Sequence, residues 1–149
     1  MITIGIDPGL TGAIGVLSDG HYVAVEDMPV ILKGKGKVKN EVDVAGVIRF
    51  LRQYGEPSEY ISCVLERVNA RPNQGVSTIF SLGDSFGCAR SAITACRFEL
   101  RYVTPQVWKK HFKLSSINFF PFTTSRFTPY CQLSLKTSFF HLFFYDINL

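Results

Sequence analysis

Long apolar runs, paired cysteines and late acidic residues are all scarce in this chain. No stretch reaches the roughly 18 apolar residues that a membrane-spanning helix needs, so no membrane association is expected. The N-terminus has no basic segment, and its apolar alternation stops at Asp7, which argues against a secretory signal. The four cysteines, Cys63, Cys88, Cys96 and Cys131, show no CxxC spacing and no zinc pattern. Buried free thiols in a reducing cytoplasm are the expectation. Beyond Glu99 the only acid is Asp146; the last glycine is Gly87 and the last alanine Ala95. Residues 117–149 instead hold eight of the thirteen phenylalanines, with Pro121 and Pro129 interrupting any helical period. That tail reads either as an apolar extension packed on the body or as residues following a frameshift.

The 149 residues suit one domain, and 46% hydrophobic content can supply its core. "ITIGID" alternates Ile2, Ile4 and Ile6 with Thr3, Gly5 and Asp7, a strand that Pro8 and Gly9 should end. Residues 13–17 and 22–26 continue as two more strands around the turn signal "SDG", giving an antiparallel meander. Asp43 is placed to cap a helix whose apolar face carries Val44, Val47, Ile48 and Leu51, with Gly55 as its stop. "YISCVLE" reads as a buried strand ending on Glu66, and residues 76–96 as a long helix. In that helix Gly83 and Gly87 share a surface, which predicts close approach of another backbone, within the domain or across a dimer. "ELRYV" reads as a fifth strand, and "TPQVWKKHFKL" as a helix with Thr104 as cap and Pro105 in first position. The whole is an α/β layout with helices covering a mixed sheet.

Two of these strands end on a carboxylate. Asp7 points away from the isoleucines, beside Thr3 and Gly5, which leave room around it. If the strand ending at Glu66 is its neighbour, the two backbones are about 4.8 Å apart and the acids converge. Paired carboxylates repel unless a cation joins them, and hard oxygen ligands suit Mg²⁺ or Mn²⁺. A strand-end acid in solvent explains either residue alone equally well.

Three segments, "IGIDPGLTGAIGV", "VLERVNARPNQGVSTIFSLGDSFG" and "VTPQVWKKHFKL", occur in this order over residues 1 to about 116. Together they resemble the RuvC-type Holliday-junction resolvases, especially the phage-like branch, within the ribonuclease H-like superfamily. The resemblance implies a ribonuclease H-like mixed sheet, three antiparallel strands then parallel ones, with helices on both faces. It implies that Asp7 and Glu66 are the first two metal-binding catalytic carboxylates. It further implies metal-dependent cleavage of branched DNA by a homodimer. Arg67, Arg71, Lys109, Lys110 and Lys113 flank the matched motifs and are the candidates for phosphate contacts. Lys33, Lys35, Lys37 and Lys39 are equally well explained as a solvated loop, and Trp108 as a core residue.

The chain departs from the family in two places. The acidic segment expected after "WKKHFKL" does not follow Ser116, and Asp146 in "FYDINL" lacks its surroundings. A nuclease domain over 1–116, incomplete at its C-terminal end, and a divergent tail over 117–149 are therefore expected, with impaired cleavage. Asn69 stands where resolvases often carry an aromatic wedge. Two other readings stay open. One is a non-cleaving remnant that binds branched DNA. The other is a fragment of an actin-like nucleotide-binding fold, against which the short chain and the missing second "DxG" hairpin both argue.

Overall fold

The computed structural model describes residues 1–32, 40–56, 60–70 and 72–111, with only the backbone of Trp108, Lys109 and His111. The chain opens with β1 (Ile2–Asp7), β2 (Ala13–Ser18) and β3 (His21–Asp27). Short strands β4 (Val30–Ile31) and β5 (Glu41–Val42) then precede α1 (Val44–Leu51). The rest is β6 (Ile61–Glu66), α2 (Val76–Cys96), β7 (Glu99–Val103) and α3 (Pro105–His111). The main sheet runs β3-β2-β1-β6-β7. β1, β2 and β3 pair antiparallel, and β6 joins β1 and β7 joins β6 in parallel. The expected mixed sheet is therefore present. The β4–β5 pair is an addition to the sequence reading.

One face of the sheet carries Ile4, Ile6, Ile14, Val16, Ile61, Cys63 and Leu65. Val47 and Leu51 of α1 and Ala89, Ala92, Ile93 and Cys96 of α2 close over them in a single core. Gly5, Ala13, Gly15, Leu17, Ser62 and Val64 on the opposite face are buried as well.

Asp43 caps α1 as expected: its carboxylate accepts the Gly46 N–H at 3.0 Å. A Cβ at Gly46 would lie 2.9 Å from the Pro29 Cβ and 2.7 Å from the Asp43 Oδ2. Glycine is thus what lets α1 start against the segment leaving β3. The helix ends at Leu51 with Arg52 as cap, three residues short of the expected stop at Gly55.

α2 spans the expected residues, but its glycines behave differently from expectation. A Cβ at Gly83 or Gly87 meets nothing within 4 Å. Among the described residues, no backbone approaches there. Helical spacing shows that two residues share a surface, not what lies against it. The buried side of α2 is instead Ser85, Ala89, Ala92, Ile93 and Cys96.

The thiols of Cys63, Cys88 and Cys96 are free. Cys131, the four lysines of 33–39 and the whole 117–149 tail lie outside the described residues. Among the described residues, no helix is long and apolar enough to cross a membrane.

Candidate active site at the parallel strand ends

Asp7 ends β1 and Glu66 ends β6. The parallel register pairs Ile2 with Ile61 through Ile6 with Leu65, so one further step sets Asp7 beside Glu66. Residues level with each other on neighbouring strands share a face, and these strands are about 4.8 Å apart. The two acids therefore stand side by side on the face opposite the isoleucine core. Both are half-buried.

The small residues after Asp7 follow from the backbone. The Gly12 N–H donates to the Gly9 carbonyl at 3.0 Å, closing the turn between β1 and β2. The Gly12 carbonyl then accepts the Met28 N–H at 2.9 Å, tying the turn to the end of β3. A Cβ at Gly12 would sit 2.0 Å from the Asp7 carbonyl oxygen. Only a hydrogen fits, so Gly12 fixes the backbone that carries the first carboxylate.

Among the described residues, no third acid completes the pair. Asp27 ends β3 in the same row of the sheet, level with Ala13 and through it with Asp7. The sequence reading passed over it, because only strand pairing reveals the row. Two strand spacings, about 10 Å, separate it from Asp7. Glu99 shares the site's face but is level with Ser62, four residues before Glu66, about 13 Å along the sheet. It is also engaged, accepting the Tyr60 hydroxyl at 2.7 Å and the Arg101 Nε at 3.1 Å. The Tyr60 hydrogen bond, then that from Arg101, holds its carboxyl below the usual range. Among the described residues, no three of His, Cys, Asp and Glu are gathered closely enough to hold a metal ion.

The basic candidates divide. Arg67 follows Glu66 directly, and its N–H donates to the Val103 carbonyl at 2.7 Å, extending the β6–β7 ladder past the carboxylate. Its guanidinium is exposed and lies over the Tyr102 ring, 5.9 Å from the centroid. Lys110 is exposed on α3, which starts two residues after Val103 at this same end of the sheet. Lys109 is on α3 as well, with its side chain outside the described atoms. Arg71 and Lys113 lie outside the described residues.

A solved structure of Thermus thermophilus RuvC in complex with Holliday junction substrate matches over 74% of this chain and 69% of that one. The identity is 19% and the TM-score 0.53. This chain has the RuvC fold. A second Thermus thermophilus RuvC structure matches over 74% of this chain and 68% of that one, at 20% identity and a TM-score of 0.42. No family model and no curated protein sequence matches. The shared fold agrees with the ribonuclease H-like sheet that the three motifs implied. The RuvC likeness is thus carried by backbone arrangement much further than by sequence.

Proposed function

We propose that this chain is a RuvC-like nuclease by descent that binds branched DNA and cuts it poorly. The observation that carries the reading is the Asp7–Glu66 pair at neighbouring parallel strand ends in a RuvC fold. The solved RuvC with that fold is held on a Holliday junction substrate, which supports branched DNA as the ligand class.

Two adjacent half-buried carboxylates fit Mg²⁺ or Mn²⁺ in donor type. Asp7 and Glu66 would hold the ion between them, Asp7 on a backbone fixed by Gly12. When bound, such an ion supplies Lewis-acid activation of water and of a phosphodiester oxygen. Arg67 and Lys110, with Arg71, Lys109 and Lys113, meet phosphates and set the register of the DNA on the site. The reason for weak cleavage is that the described residues bring no third carboxylate to the pair and no RuvC-type acidic segment follows Ser116: a water held by too few groups is poorly aimed at phosphorus. Binding rests on other residues and is retained. In this reading the nuclease domain ends near residue 116, residues 117–149 are a divergent tail, and the protein works in the cytoplasm as a homodimer.

The test is the purified chain on a synthetic four-way junction with Mg²⁺ or Mn²⁺, with binding and cleavage measured separately. Binding that weakens steeply with salt, and cleavage far below that of a version given a RuvC-type acidic C-terminal segment, are expected. Equal cleavage by the two, abolished by Asp7→Asn, would mean that another group of this chain completes the site. No salt-dependent binding to any DNA would remove the nucleic-acid reading altogether.

A further inference from the structure

We infer that Tyr102 is a positioning residue for DNA, holding the Arg67 guanidinium at the sheet end that carries Glu66, on the face opposite the carboxylates. This rests on the DNA-binding reading above. Tyr102 is a large aromatic near the end of β7 that remains 47% exposed, on the sheet face that carries Leu65 and α2 and not on the face of Asp7 and Glu66. Its register partner is Leu65, the residue before Glu66. From that position the ring has two neighbours. Phe86 of α2 packs on it with centroids 6.0 Å apart and planes tilted by 31°, which ties the ring to the helix layer. Arg67 lies over it at 5.9 Å.

The backbone of Arg67 is already fixed by its hydrogen bond to Val103. A fixed backbone still leaves a long side chain free to sample many rotamers, and selecting one costs conformational entropy. The ring narrows that choice before DNA arrives. A guanidinium over an aromatic face keeps its N–H edge pointing outward, where a phosphate can accept from it. The arrangement therefore lowers the ordering loss on binding and adds no new contact to DNA. The ring does this work, and the Tyr102 hydroxyl is not needed for it.

The experiment is a double-mutant cycle on the full chain, with binding to a synthetic four-way DNA junction measured across a salt series. Arg67→Gln is expected to weaken binding and to lower the magnitude of the log–log salt slope by about one. Tyr102→Leu is expected to weaken binding by roughly two- to fivefold, the size of an exposed cation–π contact. In the Arg67→Gln background the same change should do nothing, and Tyr102→Phe should bind like the parent. Additive losses, or a Tyr102→Phe variant as weak as Tyr102→Leu, overturn the inference while leaving the DNA reading intact. An Arg67→Gln variant that binds as the parent does removes Arg67 from the DNA contact and the inference with it. A second readout needs neither DNA nor the leucine variant. The Arg67 Nε–H resonance of the free parent and of Tyr102→Phe should show an upfield ring-current shift, and its absence would overturn the inference too.

Discussion

Asp7 owes its place to a neighbour with no side chain. The 2.0 Å between a Cβ at position 12 and the Asp7 carbonyl cannot be relieved by rotating a side chain, because the oxygen is backbone and the backbone alone sets where a Cβ stands. Gly12→Ala must therefore move the β1–β2 turn, and overpacking of this kind costs roughly 1–3 kcal/mol. Denaturant unfolding should show that loss. The strand-end positions of Asp7 and Glu66 were legible in the sequence, since an apolar strand that closes on an acid is visible there. Tyr102 was not, because its relation to Arg67 exists only through the β6–β7 register, which no local pattern encodes. The acid pair makes a prediction that does not depend on cleavage. An ion bound to the folded chain alone stabilises it by RT ln(1 + [L]/Kd), about 1.4 kcal/mol at ten times Kd. For a chain of this size that raises the melting temperature by about 3–6 °C. Millimolar Mg²⁺ or Mn²⁺ should raise it in the parent, and EDTA should reverse the shift. Asp7→Asn and Glu66→Gln should abolish the response. A variant that keeps the full shift would place the ion elsewhere.

Among the elements, α2 is where the structure changes the sign of an expectation. Close approach of a backbone would make a larger residue at Gly83 destabilising. The open space found there predicts the opposite. Alanine is favoured over glycine in an exposed helix interior by about 1 kcal/mol, so Gly83→Ala should stabilise the chain by about that amount in urea unfolding. Destabilisation, or a stabilisation that appears only on dilution, would mean that a second molecule covers the helix in solution. Val76 at 84% and Phe80 at 77% exposure lie on the same helix, two turns and one turn before Gly83 respectively. The other elements were easier to read. Asp43 signals the start of α1 because a carboxylate can satisfy an N–H that the helix leaves open. α1 ends before Gly55 because its last turn tightens: the Gln53 N–H donates to the Phe50 carbonyl and the Tyr54 N–H to the Leu51 carbonyl, each at 3.1 Å. Strands as short as β4 and β5 carry too few residues for alternation to register, so they appear only once the chain is folded.

At the scale of the whole molecule, turn signals revealed the meander and the order of strands and helices implied a mixed sheet, whereas the parallel strands were implied by the family resemblance alone. Strand order emerges only from the packing of the helices on one shared core. That core contains the thiol of Cys63, fully buried on the β6 face. Burial chiefly, then the neighbouring Cys96 and Glu99, pushes it from an ordinary 9.0 up to about 12. Burial raises Cys88 and Cys96 as well. A thiol carries its charge when deprotonated, so a raised value in the fold means that the unfolded chain gives up its proton first. The stabilisation is then complete below about pH 9 and is lost as the pH climbs toward 12, by about 1.4 kcal/mol per unit for a single such thiol. The parent chain should therefore lose stability steeply above pH 9 in the presence of a reductant. Tyrosines and lysines titrate in the same range, so the comparison that isolates the effect is with Cys63→Val, which keeps the volume and removes the thiol. Its melting temperature should fall less between pH 9 and 11 than the parent's. Parallel pH curves for the two proteins would mean that water reaches Cys63, and that the sheet opens next to the strand carrying Glu66.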